Sequence, residues 1–225
     1  PLPCSAVATS LFVHIYGLDC PIRSSYANFA EADAILQLLF DHGTRWLNEG
    51  HSIRILTTYL GQAGLIKTAI ELAHERAREG DKTRLYPLMD VPISTVDSAQ
   101  GTEADIVLAS LVRANPRRRT GFVADARRSN VLLSRARLAQ ITFGHGPTLA
   151  GSDWHDYRAL LGIYADLGGL LRCGRDRHWH AASVDDILAA PDVARPQILT
   201  PDLDAARRRV LHETEGRGGL HTHPL

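Results

Sequence analysis

The sequence predicts an α/β domain in which a mainly parallel sheet is covered by helices on both faces, followed by a short irregular or helical tail. Three observations carry this. Short apolar runs of strand length alternate with helical stretches. The run at residues 106–112 is continuously apolar but for Ser110, as in a strand buried on both faces. Glycines close the first two helical patterns, at Gly50 and Gly80.

Taken in order, residues 11–16 (LFVHIY) read as a buried strand. A helix is predicted over 30–47, with Ile35, Leu38, Leu39 and Trp46 on its apolar stripe. Residues 53–57 form a second strand, 61–78 a second helix, 91–96 a third strand and 106–112 a fourth. A helix over 127–137 leads to a fifth strand at 139–144, and 154–167 reads as an amphipathic helix able to pack on the sheet. Past Gly168-Gly169 come short polar pieces and two helical candidates, 184–189 and 202–212. The last dozen residues are expected to be poorly ordered. The domain is therefore drawn as 1–168, with a partly disordered C-terminal extension at 169–225.

Composition narrows the function. The 225 residues are 44% hydrophobic, enough for one large domain with a real core. No apolar run approaches the roughly 18 residues a membrane helix needs, so a membrane partner is not expected. Three widely spaced cysteines do not suggest a disulfide framework, which points to a cytoplasmic or nuclear setting. The chain begins at Pro1, as a piece of something longer would. Formal charge balances at 25 basic against 25 acidic residues, yet all the basic residues except Lys67 and Lys82 are arginines. Residues 113–137 hold eight arginines against Asp125 alone, a local excess of seven charges. That run is either a solvated basic face or a phosphate-binding surface.

Two stretches concentrate chemistry. No GxxxxGK[ST] loop is present, so the chain holds no triphosphate cradle of its own. Residues 95–107 pack Asp97, Ser98, Gln100, Gly101, Thr102, Glu103 and Asp105 between two apolar strands, where a parallel sheet binds ligands at its C-terminal edge. The alternative is that Asp97 and Ser98 cap a short helix and Glu103 is simply solvated. In the second stretch, residues 125–137, a continuous helix would put Arg128 and Arg135 on one face. Such a pair can grip phosphate oxygens, or belong to an ordinary basic helix.

Read together, ILTTYLGQ (55–62), STVDSAQGTEADIVLASLVRAN (94–115), GFVADARRSNVLLSRAR (121–137) and ITFG (141–144) resemble superfamily 1 helicases of the up-frameshift group. The group's patterns read ILTPYxGQ, TVDxFQGxExDIVIxSLVRxN and GFLxDxRRLNVALTRAR. Ser25-Tyr26-Ala27-Asn28 with Glu31-Ala32 matches a further SYLNxxEA pattern, and the likeness, running over about 11–167, is nearest to NFX-type zinc-finger helicases.

The resemblance implies the second of two RecA-like domains, a three-layer α/β/α fold. ATP and Mg2+ would sit in the cleft with a first RecA-like domain, which supplies the phosphate cradle and the metal ligands. Single-stranded RNA would lie across both. Arg135 matches the arginine that stabilises the transferring phosphoryl group. Gly101 and Glu103 match the segment meeting ribose and γ-phosphate, with Gln100 and Arg128 as supports. Thr57, Thr58, Thr95 and Ser98 match loops facing the nucleic-acid backbone, and Arg113 and Asn115 are expected near that interface. Departures are Thr58 for proline, which adds a hydroxyl, Ala99 for an aromatic, and Ser134 for threonine. The group's QYRMHP element is not found. A non-catalytic RNA-binding or scaffolding module derived from a helicase is the alternative, although Gln100, Glu103 and Arg135 speak against it. Cys173, His178 and His180 fall short of the four ligands a structural zinc site needs, so no metal site is expected there.

Overall fold

The computed structural model describes residues 10–99, 101–151, 156–174, 176–189 and 200–215. Among the sites named above, Gln100 lies outside the described residues, as do the last ten residues of the chain, on which most of the expected disorder falls.

Seven strands form one sheet, in the order β5-β4-β6-β7-β1-β8-β9. They are β1 (Ser10–His14), β4 (Ile53–Thr57), β5 (Ile93–Thr95), β6 (Ala104–Ser110), β7 (Ala136–Gly144), β8 (Leu170–Cys173) and β9 (Trp179–Ala181). All neighbours pair in parallel except β8 with β9. A separate hairpin, β2 (Cys20–Ile22) and β3 (Ser25–Ala27), rises beside the sheet. Helices flank both faces, giving the RecA-like three-layer α/β/α arrangement.

Strand alternation sorts the core into two halves. Leu11, Val13, Ile53, Ile55, Ile106, Leu108, Ile141 and Phe143 pack under α1 (Phe29–Leu38), α3 (Leu60–Arg76) and α9 (Pro201–Glu215). Phe12, Leu56, Val107 and Ala109 face the other way. They meet Leu132 of α5 (Ala126–Leu133), Leu149 of α6 (Gly146–Ala150), Leu161 of α7 (Asp156–Asp166) and Ile187 of α8 (Val184–Leu188).

Several elements differ from expectation. The first helix is continuous from α1 into α2 (Thr44–Asn48), but widens to a π turn at Leu39–Gly43. A Cβ on Gly43 would meet Leu88 at 2.9 Å, so the small residue is what lets the next helix press in. That helix, α4 (Glu79–Met89), is absent from the sequence reading because Gly80 and Pro87 mask it. Leu85 and Leu88 bury it all the same.

The helix predicted over 127–137 stops at Leu133. Ala136 pairs with Ala104, and the Ala104 N–H donates to the Arg135 carbonyl at 3.0 Å. Sheet pairing thus overrides the good helix formers after Ser134. Arg128 and Arg135 therefore do not share a helix face. Residues 170–181, placed by sequence in a C-terminal extension, add two strands to the same sheet, and α9 packs against α3.

Candidate nucleic-acid and nucleotide sites

β4 ends at Thr57 and β5 at Thr95, on the C-terminal edge of the sheet, whereas β6 begins at Ala104 on the opposite edge. The polar stretch 95–103 therefore crosses from one edge to the other rather than lying wholly at the ligand-binding edge. The expected site residues fall into two groups as a result.

At the C-terminal edge lies a groove of about 840 Å³. Its lining includes Ser25 and Tyr26 of β3, Thr58 and Tyr59 after β4, Gly61 and Gly64 of α3, Thr95, Asp97, Phe122 and Arg128. Thr95 and Ser98 cap the 3-10 turn Val96–Ser98, and the Ser98 Oγ donates to the Thr95 carbonyl at 3.0 Å. The Thr58 hydroxyl, which stands where the helicase pattern has proline, donates to the Leu111 carbonyl at 3.0 Å and ties the β4 and β6 loops together. Thr57 is fully buried and its Oγ1 accepts from the Tyr59 N–H. It shapes the loop from beneath and is not among the residues lining the groove.

Three rings stand in a row along the groove, each edge-on to the next. Tyr26 and Tyr59 are 5.4 Å apart, Tyr59 and Phe122 5.2 Å. An arginine covers each end of the row. The Arg113 guanidinium lies 4.1 Å from the Tyr26 ring centre and that of Arg128 4.5 Å from Phe122. Each arginine has its own aspartate: Arg113 Nε donates to Asp19 at 2.7 Å and Arg128 Nε to Asp97 at 2.9 Å. The first pair is nearly buried and the second open to solvent. Arg113 thus braces the rings instead of projecting from them. Asn115 is a brace too, donating to Asp19 and to the Arg119 carbonyl.

Beneath the rings a buried polar network fixes the loop ends. The Asn28 Oδ1 caps α1 by accepting from the Ala30 and Glu31 N–H groups. Its Nδ2 donates to the Val112 carbonyl. Gln62 donates to the Asn28 carbonyl and to Ser110, which donates to Glu31 at 2.6 Å. The Val112 N–H, on a backbone with φ of 69°, donates to the same Glu31 oxygen at 2.8 Å. A β-branched residue rarely takes that conformation, so the Glu31 carboxyl group holds a strained turn just before Arg113. Burial pushes the Glu31 carboxyl up to about 8, while the Ser110 and Val112 hydrogen bonds pull the other way.

At the opposite edge, Gly101 (φ of 79°) and Glu103 are exposed beside the start of β6, and Arg135 stands just past the end of α5. Arg135 donates to the Val131 carbonyl at 3.1 Å and to the Ser134 hydroxyl at 2.9 Å. It makes no ion pair among the described residues. Neighbouring Arg137 is held by Asp105 at 2.9 Å and keeps that carboxyl well below the usual carboxylate range. Arg128, expected to support this corner, lines the groove instead.

Sequence reasoning left Asp19, Tyr26, Tyr59, Gln62 and Phe122 without a role, and read Asp97 as a ligand-site or capping residue rather than as the partner of Arg128. Asn28, Glu31 and Gln62 each fall within a stretch used to draw the helicase resemblance. That coincidence was the available signal for a joint role. His180 pairs with Asp176 at 3.1 Å, and burial raises the Cys173 thiol. Among the described residues no group of three or more His, Cys, Asp or Glu is arranged to hold a metal, and no helix is long and apolar enough to cross a membrane.

Comparison with known proteins adds an independent line. A family model described as an AAA domain matches residues 8–146. A Drosophila melanogaster regulator of nonsense transcripts 1 homolog is 33% identical over 146 residues, covering 64% of this chain and 11% of the relative. The Schizosaccharomyces pombe helicase required for RNAi-mediated heterochromatin assembly 1 is 34% identical over 138 residues, covering 59% of this chain and 12% of the relative. The DNA polymerase alpha-associated DNA helicase A of Saccharomyces cerevisiae is 34% identical over 95 residues, 42% of this chain and 12% of the relative. The chain thus spans about a tenth of the length of these curated relatives.

Proposed function

The chain belongs to the AAA domain family, and from that premise we propose that it is the second RecA-like domain of an up-frameshift-type superfamily 1 helicase, nearest to the NFX type, acting with ATP on single-stranded RNA. One observation carries the reading: the helicase-like motifs divide between two edges of one sheet. A groove of hydroxyls, rings and arginine lies at one edge, and a glycine, glutamate and arginine lie at the other.

The groove is suited to a single strand. Thr58, Thr95 and Arg128 line it where backbone phosphates would pass, and its rings offer faces to bases. Thr57, Arg113 and Asn115 act one layer back, holding the lining in place, and the exposed Ser98 caps the turn that carries Asp97. RNA is preferred over DNA from the regulators of nonsense transcripts among the relatives.

At the other edge the residues fit the phosphate end of a nucleotide. Among the described residues Arg135 is anchored to a carbonyl and a hydroxyl and to no carboxylate, which leaves its charge uncompensated there. It would meet the γ-phosphate oxygens, with Gly101 and Glu103 beside the ribose and Gln100 and the first RecA-like domain completing the cleft. Bound there with Mg2+, ATP would supply the free energy for closing and reopening the two domains. The protein's own part is to place a guanidinium where negative charge develops. The same corner disfavours a purely RNA-binding module, which has no use for an uncompensated arginine beside an exposed glutamate.

Gly64→Glu tests the groove. Gly64 lines it from α3, and an added Cβ there meets nothing within 4 Å. Replacing a helical glycine raises helix propensity, so the fold should hold. The variant is expected to lose about tenfold or more in affinity for single-stranded RNA at low salt. Unchanged affinity would remove the groove from the strand path.

A further inference from the structure

The segment between β6 and α5 carries a charge excess that the groove does not absorb. Of the arginines from 113 to 137, Arg113, Arg128 and Arg137 each have an aspartate partner. Arg117 and Arg119 are exposed and make no ion pair among the described residues. Their backbone is nonetheless fixed. The Asn115 side chain accepts from the Arg119 N–H at 3.0 Å and donates to the Arg119 carbonyl at 2.9 Å. The Arg118 N–H donates to the Asn115 carbonyl, and the Asn115 N–H donates to Thr148 at 3.1 Å. Asp19 anchors Asn115 from below. A rigid turn therefore presents two arginines to solvent at little ordering cost for the backbone.

Three residues on, the same segment enters the groove. Gly121 sits at φ of 61°, and a Cβ on it would meet the Tyr59 hydroxyl at 2.3 Å. This close passage brings Phe122 into line with Tyr59, and the Phe122 N–H donates to the Tyr59 Oη at 3.4 Å. Phe122 is a large apolar side chain left 41% exposed, held in place by Tyr59 and Arg128. An exposed ring on a rigid mount, three and five residues along the chain from two arginines without an ion pair among the described residues, is the chemistry of a single-strand seat: a π face for a base and guanidinium forks for phosphates.

We propose that residues 116–122 are a second seat on the strand track, in which Arg117 and Arg119 take backbone phosphates and Phe122 stacks on a base. This rests on the reading of the groove as the strand's path and extends that path to the turn at residues 116–120.

The test uses the chain with labelled single strands of about 12 nucleotides, as oligo-uridylate, oligo-deoxythymidylate and an abasic backbone of the same length. Affinity is followed between 25 and 200 mM salt. Each phosphate contact on a single strand contributes about 0.7 to the slope of log affinity against log salt. The Arg117→Ala/Arg119→Ala variant should therefore lower that slope by about 1.4 on all three probes. Phe122→Ala should lose about five- to hundredfold on the base-bearing strands and nothing on the abasic backbone. Phe122→Tyr should restore the loss, which separates stacking from a folding defect. An unchanged slope in the double variant, or equal Phe122→Ala losses with and without bases, overturns the second seat while the Gly64→Glu result still stands for the groove. No binding of any strand by the unaltered chain overturns both. Equal losses on the ribose and deoxyribose strands support the seat as a reader of bases and phosphates, and a loss confined to one sugar overturns it in that form.

Discussion

The two edges of the sheet are built on opposite terms. At the C-terminal edge Thr58, Ser98, Asn115, Gln62 and Glu31 each spend their polar atoms on neighbouring backbone or side chains, and Arg113 and Arg128 each hold an aspartate. At the N-terminal edge Glu103 is exposed and Arg135, among the described residues, is tied to uncharged oxygens. The first region is organised by its own contacts, whatever binds there. In the second, Arg137 and Asp105 are paired, while Arg135 and Glu103 make no ion pair among the described residues, which fits the proposed half site completed by another domain. Preorganisation suits a track that must hold a flexible strand, and loose ends suit a surface that works only on closure.

The sharpest way to break this comparison is Arg135→Ala in the chain joined to a first RecA-like domain. ATP turnover should fall by about a thousandfold or more, with single-stranded RNA binding unchanged. Surviving turnover would take Arg135 out of the phosphate site. Next in size is Glu31→Ala, which leaves the Val112 N–H and Ser110 without their buried acceptor. A loss of about 3 kcal/mol in stability is expected from urea unfolding.

Its pH arm has a definite sign. The folded-state pKa of about 8 exceeds the ordinary glutamate value of 4.5, so the folded chain binds more protons between those values. Stability from this group is complete below about pH 4.5 and is lost as pH rises through about 8. Glu31→Gln should flatten that slope, and an identical pH profile would show that the carboxyl does not titrate there.

Smaller still is Gly121→Ala. It adds a Cβ at φ of 61° against the Tyr59 hydroxyl and should cost about 1–3 kcal/mol. It should also weaken strand binding by displacing Phe122, with ATP turnover per bound strand preserved in the joined protein. The smallest effect is expected from Asp105→Asn at the other edge. Arg137 keeps that carboxyl well below the usual range, so its contribution persists above the ordinary carboxylate range and fades only as pH falls below it. Because the pair is exposed, the change in Tm should lie at the edge of detection. A large change would mean that the corner is more tightly built than its exposure indicates.

Much of this was legible in the chain. The apolar run 106–112 marked β6, and the short apolar runs at 11–16 and 53–57 marked β1 and β4, because burial on a covered sheet leaves runs of apolar residues of strand length. What escaped were α4, whose Pro87 and Gly80 argue against a helix that Leu85 and Leu88 nevertheless bury, and β8 with β9, too short to show a period. At the site, the motif residues were visible as a polar concentration, but their layering was not. Thr57 and Thr58 are adjacent and identical, yet one is fully buried and the other lines the groove.

The sequence by itself determined the layered α/β fold, the location of the helicase-like motifs and the local basic excess, since each depends on residue type and spacing along the chain. Only the tertiary structure decided which arginines are already neutralised, that Arg128 and Arg135 serve different edges, and that Phe122 stands beside Tyr59. The physical reason is range. Periodicity and motif spacing act over a few residues. Asp19 with Arg113, Asp97 with Arg128 and Ala104 with Ala136 are partners across long stretches of chain, and only folding brings their charges and backbones within a hydrogen bond of each other.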